Sequence, residues 1–316
     1  MTPTTGIVKS AITSGLQRLA CRVIPLALTA ASGSGVFATE LLTEFQPSDR
    51  ESSYGAVSQV QFSSGLVDLQ ADTLVQSPEG TRKVLRFNEP VWLIGFKSEI
   101  VDAAGQPPQE NYLCHTFFGD ADVVQRQDQQ MRAIYSDAFT QDVQLPDGFG
   151  LPFGPRDDLQ WFPLFNNRGG SRAKVGMKIE IHVIRERDLI KPLRRLYSML
   201  LSVQVPHLYF VPPGRDVRGN AFELPAGKIH AMGTHIHPFG VSIELINVTR
   251  DEPVWKSVGR RDAEGALVSM PIYRNPEGYP VRTGDLFELI VVYENTTGDR
   301  VDAMAGIFVL YSPEPS

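Results

Sequence analysis

Two histidines one residue apart, His235 and His237 in Thr234-His235-Ile236-His237, and a methionine near the C-terminus, Met304 in Asp302-Ala303-Met304-Ala305, are the residues whose types and spacing point most directly to chemistry. In an extended strand, positions i and i+2 share a face, so the two imidazoles point the same way and form a chelate. Two imidazoles with a thioether make a soft donor set that favours Cu(I) over zinc. Such a set leaves one coordination position open, which dioxygen chemistry needs. Taken singly, a Met in an apolar strand is most often core filling and a buried His most often a hydrogen-bonded core residue. The copper reading therefore rests on the combination.

The elements that must carry these residues read as strands. Met232 to Val248 is rich in Val, Ile and Phe, with a turn at Pro238, and Ala303 to Tyr311 reads as a strand with Met304, Gly306, Phe308 and Leu310 on one face. Similar short runs lie at Val57 to Phe62, Lys83 to Phe87, Val91 to Phe96, Tyr112 to Phe118, Val175 to Ile184 and Leu286 to Glu294. Pro, Gly, Asn and Asp clusters such as Gln106-Pro107-Pro108 and Asn166-Asn167-Arg168-Gly169-Gly170 punctuate them. This pattern predicts an all-β chain built as antiparallel sandwiches. The one helix candidate, Arg187 to Leu201, is interrupted by Pro192.

A chain of 316 residues has room for two domains, and 42% apolar with 21% charged residues is a soluble globular composition. Lys and Arg number 30 against 36 for Asp and Glu, without a basic stripe, which argues against nucleic acid or an anionic membrane as partner. Lys9, Arg18 and Arg22, the apolar Val23 to Ala31 and the ending Gly35-Val36-Phe37-Ala38 resemble a secretory leader, the alternative being an N-terminal arm over residues 1–38. No other segment is long and apolar enough to span a bilayer, so the expectation is a soluble, exported protein, periplasmic or extracellular, with residues 39–58 as a polar linker. Cys21 would leave with the leader. Cys114 would then be a single thiol in an oxidising compartment, a liability unless buried or bound.

Two further histidines stand in strand contexts upstream: His115 in Tyr112-Leu113-Cys114-His115-Thr116-Phe117-Phe118-Gly119, and His182 in Glu180-Ile181-His182-Val183-Ile184. With these in place the order of motifs from about residue 80 to 312 resembles the copper type II, ascorbate-dependent monooxygenases, the peptidylglycine α-hydroxylating and dopamine β-monooxygenase family. The resemblance implies two consecutive antiparallel jelly-roll β-sandwich domains, here 59–204 and 205–316, each holding one copper across a solvent-filled cleft. It implies an electron-delivering copper at His115 and His182, with Cys114 where the family has the first of two paired histidines. It implies a catalytic copper at His235, His237 and Met304 that hydroxylates a C–H bond of a small-molecule substrate with O2, both coppers being reduced by ascorbate or a similar reductant. Gly233 stands where the peptide-hydroxylating branch has an Arg, so a glycine-extended peptide is not the expected substrate.

Strand parity puts His230 on the face opposite His235, in a core or supporting role, and His207 at the domain junction reads as packing. Glu180 shares a face with His182 and reads as solvated. The alternative function is an exported copper-binding protein without oxygenase activity. A cupin reading lacks the Glu shortly after the second His and any histidine after His237. A purely structural double sandwich, such as a capsid or adhesion module, leaves the strand-borne imidazoles without a purpose.

Overall fold

Alternating Val, Ile, Phe and Leu beyond residue 55 form strands throughout, and the described residues contain no helix. The computed structural model describes residues 39–76, 78, 81–120, 131–204, 207–263 and 265–314; the expected leader, with Cys21, lies outside them. Among the described residues no helix is long and apolar enough to cross a membrane.

The chain forms two consecutive β-sandwiches of the antiparallel jelly-roll class. In the first, one sheet runs Thr39–Leu42, Lys83–Phe87, Leu159–Asn167, Leu113–Asp120, Ala133–Asp137, with Thr73–Gln76 also against Leu159–Asn167. The facing sheet runs Arg194–Arg195, Phe149–Phe153, Val91–Asp102, Ala173–Leu189, Gly55–Leu69, Gln46–Pro47. Every second residue of Ala173–Leu189 from Val175 to Val183 enters the core with Phe87, Phe118 and Trp161. The intervening residues, Glu180 and His182 among them, therefore point to the outer face.

In the second sandwich, Tyr197–Ser202, Ala305–Pro313, Gly227–Ile236 and Tyr273–Val281 form one sheet. Gly214–Glu223, Leu286–Asn295, Gly240–Asn247 and Glu252–Val258 form the other. The first of these sheets is covered on both sides. Met232, Ile236, Ile307 and Val309 enter its own sandwich, whereas Ala231, Phe308 and Leu310 join the core of the first sandwich. That double burial is why Ala305 to Tyr311 is apolar without alternation. It also welds the two halves, each buried Phe or Leu contributing about 1.5–3 kcal/mol.

Two expectations are corrected, and the helix candidate that Pro192 counted against is indeed strand. Residues 39–58 are not a linker: Thr39–Leu42 pairs in parallel with Lys83–Phe87, Leu42 is buried, and Phe45 stacks on Phe87. The polar composition hid a short edge strand whose partner residues lie 45 positions on. The boundary falls before residue 204, because Tyr197–Ser202 pairs with Ala305–Pro313 in the second sandwich. The helix candidate is instead the end of Ala173–Leu189 followed by Arg194–Arg195 and Tyr197–Ser202, where Pro192 and strand pairing override the helical spacing.

Candidate metal centre

Cys114 and His115 are sequence neighbours, and in a regular strand they would point to opposite faces. The pairing of Leu113–Asp120 with Leu159–Asn167 jumps from His115 opposite Leu164 to Leu113 opposite Phe165, so Cys114 is the extra residue of a β-bulge. Bulges re-aim side chains. Cys114 Sγ and His115 Nδ1 accordingly meet at 3.3 Å.

From the other side, His235 lies on the face of Gly227–Ile236 that also carries Ala231 and looks into the first sandwich. His237 follows just past the strand end. The turn His237-Pro238-Phe239-Gly240 is closed by the Gly240 N–H donating to the His237 carbonyl at 3.1 Å, and Phe239 takes a φ of +70°. A bulky residue in the left-handed region is strained, and such strain concentrates where a side chain must be held for a task. The result is a cluster between the two sandwiches. Ligand atoms of Cys114, His235 and His237 all lie within 4.8 Å of one another, with Cys114 Sγ 3.9 Å from His237 Nε2. The His115 ring stands edge-on to His235 at 4.8 Å between centroids.

One carboxylate orients the His237 ring, and a second stands near His235 without bonding it. Asp302 Oδ2 lies 2.6 Å from His237 Nδ1, and Arg168 donates to both Asp302 oxygens at 2.8 Å. The ionised carboxylate can only accept, so the Nδ1 proton belongs to His237 and its Nε2 lone pair faces Cys114. Asp137 accepts the backbone N–H groups of Phe139 and Thr140 through Oδ1, and its Oδ2 stands 3.6 Å from His235 Nδ1 without a hydrogen bond. Both ring nitrogens of His235, 8% exposed, lack a hydrogen-bond partner among the described residues. A buried imidazole with two unmatched nitrogens is costly and calls for a ligand.

Burial pushes the Cys114 thiol up to about 12, Arg168 opposing and Asp137 and Asp302 reinforcing. Burial also pushes the His237 imidazole down to about 4, against the pull of Asp302. His115 falls well below its ordinary value through burial and then through His235, His237 and His207. Burial alone would raise the Asp302 carboxyl, but its bonds to Arg168 and His237 outweigh this and hold it below the usual carboxylate range. In the metal-free cluster the Cys114 thiol is thus protonated and the His115 and His237 imidazoles are neutral at pH 7.

That protonation pattern sets a pH dependence. Because the folded His237 titrates below its unfolded value, its contribution is present in full above about pH 6.5 and is lost as pH falls towards 4. A fall from 6.5 to about 4 corresponds to about 3 kcal/mol. The urea midpoint of the metal-free chain is expected to drop from pH 7 to pH 4, and to drop less in His237→Gln. An equal slope in the two proteins would contradict a neutral buried His237.

The structure regroups the expected ligands. Cys114 and His115 meet His235 and His237 in one place, whereas His182 is elsewhere, on the outer face of the first sandwich with Ser48 and Glu180. The expected first-domain set of Cys114, His115 and His182 is therefore not assembled, because the side chains belong to different sheets and His182 points away from the core between them. Met304 sits between Val301–Ala303 and Ala305–Pro313, and its carbonyl accepts the His237 N–H at 3.1 Å and the Tyr293 hydroxyl at 2.8 Å. His230 is itself the extra residue of a bulge and is a core histidine, held by Ser312 at 2.9 Å and the Asn275 carbonyl at 3.3 Å. His207, expected to be mere packing, is half-buried; burial and then His235 lower its imidazole below the ordinary value, and His207 in turn disfavours the charged form of His115. Sequence reasoning passed over Asp137, Asp302 and Arg168; the one signal was an aspartate, Asp302, at the entry to an otherwise apolar strand.

No family model matches the chain, and no curated protein matches it. Among solved structures it is similar to the STIV MCP, at 12% identity with a TM-score of 0.32, covering 81% of this chain and 96% of that one. It is similar also to the major capsid protein P2 from Bacteriophage PM2, at 8% identity with a TM-score of 0.32, covering 79% and 100%. Scores this low carry no argument about the present chain.

Proposed function

We propose that this protein is a copper-dependent oxidoreductase of the monooxygenase type, hydroxylating a C–H bond of a small organic substrate with O2 and an external reductant such as ascorbate. The observation that supports it most is His235: a buried imidazole with both nitrogens unpaired among the described residues, beside a thiol and a second imidazole. One thiol and two imidazoles fit a soft-to-borderline transition metal, and copper above all on affinity grounds. Cys114, His235 and His237 would hold it, with His115 alongside and Met304, tied through its carbonyl to the His237 backbone, as the soft donor the resemblance implies. The resemblance implies two coppers, one per domain; the ligands gathered here favour one shared centre.

Copper held by these residues would supply the one-electron chemistry for hydroxylating a C–H bond with O2, one oxygen atom going to the product and the other to water with two electrons from the reductant and two protons from solvent. The residues prepare the site for this. Asp302 fixes the His237 tautomer, Arg168 fixes Asp302, and burial keeps bulk water from the thiol. A cavity of about 40 Å³ opens beside the cluster, lined by Tyr135, Asp137, Gly233, Thr234 and Phe308 among others. It suits O2 or a few waters. The Tyr135 phenol, raised well above its ordinary value by burial, stays protonated there as a hydrogen-bond donor.

The test is oxygen consumption by copper-loaded protein given ascorbate and a panel of small organic compounds. Substrate-dependent uptake that disappears in His235→Ala supports the reading; copper binding without any substrate-dependent uptake overturns it. That second outcome is the alternative, an exported copper-binding protein, and the tight closure of the set, with Cys114, His235 and His237 only 3%, 8% and 4% exposed, is what favours it.

A further inference from the structure

A second group of ligating side chains lies apart from the central cluster. His182, 1% exposed, sits on the outer face of Ala173–Leu189 beneath the segment Ser48-Asp49-Arg50. Its Nδ1 is 2.9 Å from Ser48 Oγ, which fixes the ring. Its buried Nε2 has no hydrogen bond among the described residues, yet Glu180 Oε1 stands only 2.8 Å away. A nitrogen and an oxygen at this separation, off the N–H direction, are spaced like neighbouring ligands on one ion with bonds of about 2.0–2.2 Å. Asp49 brings a third ligand atom within 4.8 Å of both.

We propose that Asp49, Glu180 and His182 form a separate site for a divalent cation of hard to borderline character, Mn²⁺ or Zn²⁺. One imidazole and two carboxylates are an N/O set without sulfur, so this site and the thiol-containing centre select different ions. Gln61 donates to Glu180 Oε2 at 3.0 Å, which orients the carboxylate and leaves Oε1 for the ion. Two cations act on His182, Arg50 and Lys97, and Arg50 is engaged by Asp142. Asp49 is exposed, so an ion can enter from solvent and complete its shell with water. The inference is independent of the copper reading.

The experiment is a titration of the metal-free full chain with Mn²⁺, followed by the paramagnetic resonance signal of free Mn²⁺. Mn²⁺ is the probe because a thiol and imidazole site binds it least well among the first-row divalent ions. About one Mn²⁺ per chain is expected, retained in Cys114→Ser, weakened at least about tenfold in Asp49→Asn and in Glu180→Gln, and lost in His182→Gln. The Asp49 and Glu180 changes lie at or near the surface, and an unchanged thermal midpoint separates lost binding from lost folding. No binding by the parent chain, or binding that Asp49→Asn and Glu180→Gln leave intact, overturns the proposal.

Discussion

Copper retained after chelator washing is expected to fall from about one equivalent per chain to none in His237→Ala, and to stay at about one in His182→Gln. His237 provides the one imidazole whose tautomer and direction are already set, with Asp302 on Nδ1 and Cys114 Sγ 3.9 Å from Nε2. Losing an outer partner of a ligand costs about 10–100-fold in affinity, and losing the ligand itself costs more. The result also separates one shared centre from one centre per domain: under the second arrangement His182→Gln loses copper and His115 keeps none. Loading should be accompanied by proton release. With the thiol pushed up to about 12 and His237 held neutral, about one proton per copper leaves at pH 7, from Cys114. Calorimetry in buffers of different ionisation enthalpy measures that number. Release that is undiminished in Cys114→Ser would remove the thiol from the ligand set.

The second large effect is on stability. In Asp302→Ala the Arg168 guanidinium loses both its acceptors and His237 loses its anchor at once. Breaking a fully buried ion pair costs 3–5 kcal/mol, but the Arg168 side chain is 36% exposed and water can rehydrate it, so about 2–3 kcal/mol is expected. Asp302→Asn keeps an acceptor for His237 and should lose roughly half as much, while still weakening copper about tenfold or more. Urea unfolding of the metal-free variants measures the first quantity and copper competition the second. Equal stability of Asp302→Ala and the parent chain would show that the Arg168 bridge does not hold the halves together.

Period-two alternation made the strands legible: Lys83–Phe87 falls where it is expected, and Ala305–Pro313 lies two residues along from the expected Ala303 to Tyr311. The closeness of His235 and His237 was also readable from their spacing, although His237 lies just past the strand end and is held by the turn rather than by strand parity. What parity could not reveal was the bulge at Cys114, a one-residue slip that turns a thiol and its neighbouring imidazole to the same side. The same kind of slip at His230 makes a parity argument for that residue unsafe. Nor does a sequence state which sheet packs against which. Dividing the histidines by domain presumed that each sandwich closes on its own core, whereas Ala231, Phe308 and Leu310 belong to the core of the other half. Once the sheets share that face, Cys114 and His115 must meet His235. Asp137, Asp302 and Arg168 were unreadable for a related reason: a charged residue declares its role only through a partner far along the chain, and Arg168 is 134 residues from Asp302.

The distance along the chain between Cys114 and His237, 123 residues, gives the centre a history as well as a geometry. At about 5–20 residues per second the ribosome needs on the order of ten seconds to travel from one to the other. Throughout that interval the thiol has no imidazole from the second half to face and no second sandwich to cover it. It is then at its most open to oxidation and to capture of the wrong metal. Docking of the completed second half ends both hazards in one event, so the maturation of this protein has its vulnerable moment before the halves meet, and protection by a reductant or chaperone matters then rather than afterwards.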